Sequence, residues 1–346
     1  MLKRKEAIGF NGGFHLLDAY PLSFCNVIDD ISSDSAPETF QFPVTGQKVE
    51  HVIVNLCPTE PWTLPNWVIL KHKTTAFLNR LKEIRTGYFP DARFHLAINE
   101  KEDRAVEDAV NFARAEDWIK AIPLCAKYPQ DDPAILIQVL LGMDVSFGRD
   151  IRSLGILIVD AQTVSAMYEQ GIMRKDVNSR YVVLSGTGLR ENEIIRAELG
   201  TSVEKILKNK IKDASACRVF MNGPLRGKEI SDFSLKIDWS VNNIVVLEEK
   251  CRKVLFPMFK ADELAFTTNL LGELRRCVYC NFCDDICPVA LEPALYYHSY
   301  IRGEKHKARL YHIEKCIECG LCSFICPSKL ELLKIIRECK ALDKHE

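Results

Sequence analysis

Cys277–Val–Tyr–Cys280–Asn–Phe–Cys283–Asp–Asp–Ile–Cys287–Pro288 is matched in spacing by Cys316–Ile–Glu–Cys319–Gly–Leu–Cys322–Ser–Phe–Ile–Cys326–Pro327. Both runs are C-x2-C-x2-C-x3-C-P. A short loop of this kind wraps one cubane so that three thiolates reach three of its irons. The fourth cysteine, followed by a proline that turns the chain away, reaches the other cluster. Applied here, Cys277, Cys280, Cys283 and Cys326 are expected to ligate one [4Fe–4S] cluster, and Cys316, Cys319, Cys322 and Cys287 the second. Zinc is the competing metal, but its ribbons use paired C-x2-C knuckles and need neither a third cysteine nor the trailing proline. The stretch between the runs, LEPALYYHSYIRGEKHKARLYHIEK (291–315), reads as helix. An α-helical ferredoxin module is therefore expected over residues 251–346, in preference to a small two-sheet ferredoxin.

The other six of the fourteen cysteines (Cys25, Cys57, Cys125, Cys217, Cys251 and Cys339) stand singly. A secreted disulfide scaffold spreads its cysteines along the chain. Clustering at metal-ligand spacing argues instead for bound metal in a reducing compartment. The N-terminus, MLKRKEAIGFNGGF, starts basic but has no apolar core of signal-peptide length behind it. No stretch approaches the roughly 20 apolar residues that cross a bilayer. The expected location is the cytoplasm, with peripheral docking on the cytoplasmic face of a membrane complex left open. A net charge of −1 gives no basic footprint, so nucleic acid is not an expected partner.

Residues 1–50 read as irregular, with a Ser/Asp/Pro-rich loop over Ile31–Glu38. From His51 the texture changes. HVIVNLC (51–57), RFHLAIN (93–99) and WIKAIPLC (118–125) are strand-like apolar runs. They alternate with helical patterns over 66–86, 101–115 and 133–143, the last with Pro133 in its first turn. Such alternation means an α/β, Rossmann-like parallel sheet, placed at 51–153. LGILIVDA (154–161) is a further strand on offer to that sheet, with a helix over about 162–171 after it. RYVVLSGTG (180–188), EIIRAEL (193–199), CRVFMNGP (217–224) and NIVVLE (243–248) are strands around TSVEKILKNKI (201–211), whose Thr201 and Glu204 form a capping-box pattern. These make a small α+β module within 154–250.

Taken together, these stretches resemble the C subunit of the Rnf electron-transport complex and, more distantly, the A subunit of sodium-pumping NADH:quinone reductase. The match rests on Cys316–Lys329 with Arg337 ending the following helix, on NGPLRGKEI (222–230), on KYPQ (127–130), on Gly155–Leu207, and on NLCPTEPWT (55–63). The resemblance implies a flavoprotein-like core, a ubiquitin-like (SLBB, β-grasp) module at 154–250, and electron relay through two clusters between protein partners, a flavoprotein or ferredoxin-like donor and an acceptor subunit. Members that oxidise NADH carry Gly-x-Gly-Gly-Ala-Gly-Phe-Pro before the first sheet strand, letting backbone approach flavin and nucleotide phosphates. Here only Gly9–Gly13 or Gln41–Phe42–Pro43 stand near that place, and Pro58 replaces the first acidic residue of the next motif. NADH oxidation is accordingly not expected, and FMN binding is left open. The alternatives are an NAD(P)H-oxidising FMN flavoprotein that feeds its own clusters, or a relative of the cobalamin reductases.

Several residues carry narrower expectations. Glu60 is placed between facing a nucleotide-like ligand and a solvated or capping role at a strand end. Cys57 and Cys125 are expected as buried small hydrophobes, and Cys251 and Cys339 as bystanders. His298, His306 and His312 are read as surface residues. Tyr279, Phe282 and Phe324 are expected to shield the clusters from water. Arg302–Arg309 reads as a solvated segment or a patch that steers an acidic partner.

Overall fold

The computed structural model describes residues 27–342 apart from 34–37, 44–47, 65, 71–73, 102, 146–149, 214–216 and 249–274. Four strands form a parallel sheet in the order β4-β3-β2-β5: β2 (His51–Leu56), β3 (Arg93–Asn99), β4 (Ile119–Leu124) and β5 (Ile156–Asp160). Their apolar runs are near-continuous because both faces of the sheet are covered. Val52, Val54 and Leu56 join Phe94, Leu96 and Ile98 in one core with α2 (Thr74–Tyr88) and α5 (Ala161–Met167). Ile53 and Ala97 belong to the opposite core, with Leu136 and Ile137 of α4 (Pro133–Leu141). Asp132 caps α4 by accepting from the Ala134 N–H at 2.9 Å, and Gly142, at φ 72°, closes it. Two further helices, α1 (Asn66–Leu70) and α3 (Asp103–Ala115), complete this part.

LGILIVDA supplies β5, paired along β2 from His51↔Ile156 to Asn55↔Asp160, so the parallel sheet runs past the boundary expected at 153. The irregular reading of residues 1–50 also needs correction. Val27–Ile31 forms β1 and pairs in parallel with β7 (Glu193–Glu198). VIDDI has no apolar alternation to announce it; the open edge of β7 supplies the pairing.

The second sheet has six strands in the order β1-β7-β6-β10-β8-β9, adding β6 (Ser179–Ser185), β8 (Cys217–Met221), β9 (Lys228–Ile230) and β10 (Asn243–Glu248). β6 and β10 run parallel at its centre, β6 and β7 form an antiparallel pair, and β10, β8 and β9 are antiparallel. One face buries Val182, Leu184, Ile195, Val219 and Val246 with Val203 and Ile206 of α6 (Val203–Leu207). The other packs Val183 and Ile194 with Leu64, and Val245 and Leu247 with Trp62. The loop leaving β2 is thus the seat of the second sheet. Ser202, not Thr201, caps α6. Its Oγ accepts from the Lys205 N–H at 3.3 Å, while the buried Thr201 hydroxyl donates to the Glu198 carbonyl at 2.7 Å in the turn out of β7. Ser202→Ala is expected to cost about 1 kcal/mol in denaturant unfolding.

The cysteine runs lie in loops around α7 (Phe282–Asp285), which carries Cys283, and α9 (Leu321–Ile325), which carries Cys322, with α8 (Pro293–Ile301) and α10 (Leu332–Leu342) packed beside them. The stretch read as one helix between them is α8 followed by 3-10 turns at Lys305–Tyr311 and Ile313–Lys315. Arg337 falls inside α10, not at its end. Tyr296 is fully buried at the centre of this part, its hydroxyl donating to the Tyr311 carbonyl at 2.7 Å. Among the described residues no helix is long and apolar enough to cross a membrane.

Candidate metal centre

Both cysteine runs follow the same backbone path. Tyr279 and Glu318, each just before a second cysteine, have φ 55°. Asn281 (59°) and Gly320 (78°) follow that cysteine, and Ala290 (53°) and Lys329 (56°) come three residues after the fourth. Left-handed residues among right-handed ones turn backbone N–H groups toward a common concavity, which suits an anionic centre. Two such groups already reach sulfur: Glu318 N–H to Cys316 Sγ at 3.4 Å, and Leu291 N–H to Cys287 Sγ at 3.3 Å. Five of these six positions are not glycine, so each carries roughly 1–2 kcal/mol of backbone cost. A local cost repeated at equivalent places signals a shape that the chain is built to keep.

Cys277, Cys280 and Cys283 line one cavity together with Cys326 of the other run. Ala294, Tyr297, Leu330 and Leu332 supply apolar wall. Cys287 is correspondingly separated from its own run and stands within electrostatic range of Cys316, Cys319 and Cys322. Burial pushes the Cys283 and Cys319 thiols up to about 12 and Cys316 up to about 11, and carries Cys322 well above the usual thiol range. Such thiols ionise only against bound positive charge, so metal loading must release protons. No disulfide forms among the described cysteines. Four sulfur donors around one cavity with apolar walls fit an iron–sulfur cubane. Among the described residues, no group of three or more His, Cys, Asp or Glu converges closely enough to hold a single metal ion.

The two runs differ in exposure. Cys319, Cys322 and Cys326 are buried, whereas Val278, Tyr279 and Phe282 stand 63%, 67% and 51% exposed. The two aromatics expected to shield the clusters are thus themselves largely open to solvent. Tyr279 sits at the cavity rim with its ring stacked on His298, centroids 4.6 Å apart. Phe324 is half-buried.

The second run instead abuts the rest of the chain. A Cβ on Gly320 would lie 2.2 Å from the Leu225 carbonyl oxygen. The Tyr128 hydroxyl donates to the Cys319 carbonyl at 2.5 Å, and Lys340 Nζ to the Cys316 carbonyl at 2.6 Å. Arg337 donates through Nε to Glu318 at 2.8 Å and through Nη2 to the Arg226 carbonyl at 2.8 Å. On the far side of the same loop, Glu60 Oε1 accepts from the N–H groups of Leu225 (3.0 Å) and Arg226 (3.5 Å). The Arg226 side chain pairs with Glu60 (3.2 Å), Asp131 (2.7 Å) and Asp132 (3.8 Å). Burial pushes Glu60 up to about 7 and Asp132 up to about 6, against the pull of Arg226. Burial alone would lower Arg226, but the surrounding carboxylates outweigh it and hold it above its usual value.

A family model described as the 4Fe-4S dicluster domain matches residues 273–330. The C subunit of the ion-translocating oxidoreductase complex of Edwardsiella ictaluri is 28% identical over 298 residues, covering 85% of this chain and 35% of that protein. Its counterpart in Pectobacterium atrosepticum is 29% identical over 271 residues, covering 77% and 36%. The C subunit of ion-translocating oxidoreductase complexes is a homologue of this chain. The chain spans about a third of the length of these two relatives. A chain of an NAD+-reducing [NiFe]-hydrogenase overlays at TM-score 0.44 and 11% identity, covering 57% of this chain and 40% of that one.

The part shared with these C subunits includes residues whose roles differ from expectation. Glu60 neither caps a helix nor faces solvent; it is buried on Arg226. The meeting of Glu60 with Arg226, Asp131 and Tyr128 is invisible to sequence reading, because residues far apart in the chain give no periodic signal of contact; NGPLRG and KYPQ beside TEPW are the available hints. Cys57 is buried but Cys125 only half so. His306 and His312 are exposed, whereas His298 is half-buried with its Nε2 enclosed and lacking a hydrogen bond. In Arg302–Arg309, Lys305 pairs with Glu338 and Lys307 with Glu304. Gly9–Gly13, Cys25 and Cys251 lie outside the described residues.

Proposed function

We propose that this chain is the electron-relay subunit of a redox complex of the Rnf type, holding two [4Fe–4S] clusters. Cys277, Cys280, Cys283 and Cys326 would hold one, and Cys316, Cys319, Cys322 and Cys287 the other. The observation that carries the reading is the exchange of fourth cysteines, Cys326 at the first cavity and Cys287 beside the second trio. When bound, such clusters supply one-electron chemistry. The chain contributes thiolates, backbone N–H donors to sulfur, and apolar walls that exclude water. The surface-lying first run suits exchange with a protein partner, and the buried second run, resting on Tyr128 and Leu225, suits storage next to the α/β part. A flavoprotein or ferredoxin-like donor and an acceptor subunit are the partners inferred, with peripheral attachment to the cytoplasmic face of a membrane complex.

The six-stranded sheet is inferred to be the SLBB, β-grasp module and to serve with the parallel sheet as docking scaffold. Its central parallel pair, β6 and β10, its β6–β7 hairpin, and α6 between β7 and β8 support this. Glu60, which the resemblance aligns with an acidic residue of the nucleotide-binding members, has its carboxylate engaged by Leu225 and Arg226. That engagement supports a chain that does not itself oxidise NADH. In the reconstituted full-length chain, dithionite is expected to bleach the brown colour and NADH to leave it unchanged. Bleaching by NADH, with or without added FMN, would assign catalysis to the chain and overturn the relay reading.

A further inference from the structure

Three carboxylates, Glu60, Asp131 and Asp132, surround the single guanidinium of Arg226 in a buried junction. Full ionisation would leave excess negative charge in a medium where like charges repel strongly. Both Asp131 carboxylate oxygens are engaged, accepting from the Thr59 N–H (3.0 Å), the Thr59 hydroxyl (2.5 Å) and Arg226. Asp132 is committed to capping α4. Glu60 is different: its Oε2 is enclosed, and though 3.2 Å from Arg226 Nε it has no aligned hydrogen bond.

The groups that touch Glu60 also touch the second cysteine run. Leu225 gives its N–H to Glu60 and sets its carbonyl against Gly320. Arg226 offers its carbonyl to Arg337, which holds Glu318, whose N–H reaches Cys316 Sγ. The Arg226 guanidinium lies over the Tyr128 ring at 5.6 Å, and the Tyr128 hydroxyl is on the Cys319 carbonyl. Lys340 is a further charged group at this junction, paired with Glu318.

We propose that Glu60 is a proton-binding site linked to the electron held by the second cysteine run, so that reduction on that side draws one proton onto Glu60. The inference rests on the two-cluster reading. One electron comes from the reduced flavin or iron–sulfur centre of a donor partner, and one proton comes from solvent. On reoxidation the electron leaves for the acceptor and the proton returns to water. The sign follows from charge: an added electron disfavours the Glu60 anion, raising its proton affinity. Glu60 already sits at about 7 through burial, so the linkage operates near neutrality.

The test is a redox titration of the reconstituted full-length chain, followed by electron paramagnetic resonance at several values between about pH 6 and pH 8. One of the two midpoint potentials is expected to fall as pH rises, and the other to stay level. Glu60→Gln should level the sloping one, and Asp132→Asn should leave it sloping. A readout independent of iron is the infrared absorption of protonated carboxyls in the iron-free chain: one band titrating near neutrality should be lost in Glu60→Gln and kept in Asp132→Asn, which removes the separate contribution of Asp132. Two level potentials in the wild-type chain overturn the linkage even if the variant fails to fold. A slope abolished by Asp132→Asn but kept by Glu60→Gln overturns the choice of Glu60. A wild-type chain without any reducible iron centre defeats the cluster reading itself, an outcome distinct from two clusters that ignore pH.

Discussion

Cys326→Ala is expected to remove the cluster held by the first cysteine run and to spare the one held by the second, lowering iron from about eight to about four atoms per chain. Cys287→Ala should do the reverse. The reason is the proposed exchange of fourth ligands: Cys326 lines the cavity of Cys277, Cys280 and Cys283, while Cys287 stands within electrostatic range of Cys316, Cys319 and Cys322. If each run served its own cluster, the two variants would swap phenotypes. Iron analysis alone does not separate these cases, but Cys280→Ala supplies the reference for loss of the first cluster. The spectrum of Cys326→Ala should match that of Cys280→Ala, not that of Cys319→Ala.

Gly320→Ala should produce the largest stability loss of any single methyl added to the cysteine-bearing part, roughly 2–5 kcal/mol. Gly320 has φ 78°, and a Cβ there would stand 2.2 Å from a backbone carbonyl oxygen that cannot swing away. The equivalent residue of the first run is Asn281, also left-handed at φ 59° but exposed. Asn281→Ala is therefore expected to cost about 1 kcal/mol, from backbone preference alone. Chemical unfolding of the loaded chain checks both. Gly320→Ala should also perturb the second cluster's spectrum, because Leu225 and Cys319 cannot both keep their places.

Much of the parallel sheet is legible because strands buried on both faces write unbroken apolar runs, as HVIVNLC and LGILIVDA do. Pattern alone misplaces the α6 cap by one residue, since Thr201 and Ser202 are equivalent to it and only burial of Thr201 separates them. β1 and β9 escape for a different reason: VIDDI and KEI are edge pairings that tertiary contact imposes on weak sequences. At the site, spacing singles out the eight cysteines, and the structure brings Cys326 to the cavity lined by Cys277, Cys280 and Cys283. The Glu60–Arg226 junction is out of reach, because its members come from three separate segments of sequence. Exposure of Tyr279 and Phe282 is likewise invisible, since an aromatic beside a ligand looks the same whether it faces inward or outward.

Anaerobic purification of the full-length chain, followed by metal analysis and electron paramagnetic resonance of the dithionite-reduced protein, tests the central claim most directly. The account predicts about eight irons per chain and a spectrum broadened by coupling between two neighbouring paramagnetic centres. Zinc in place of iron, or a single magnetically isolated cluster, would contradict it.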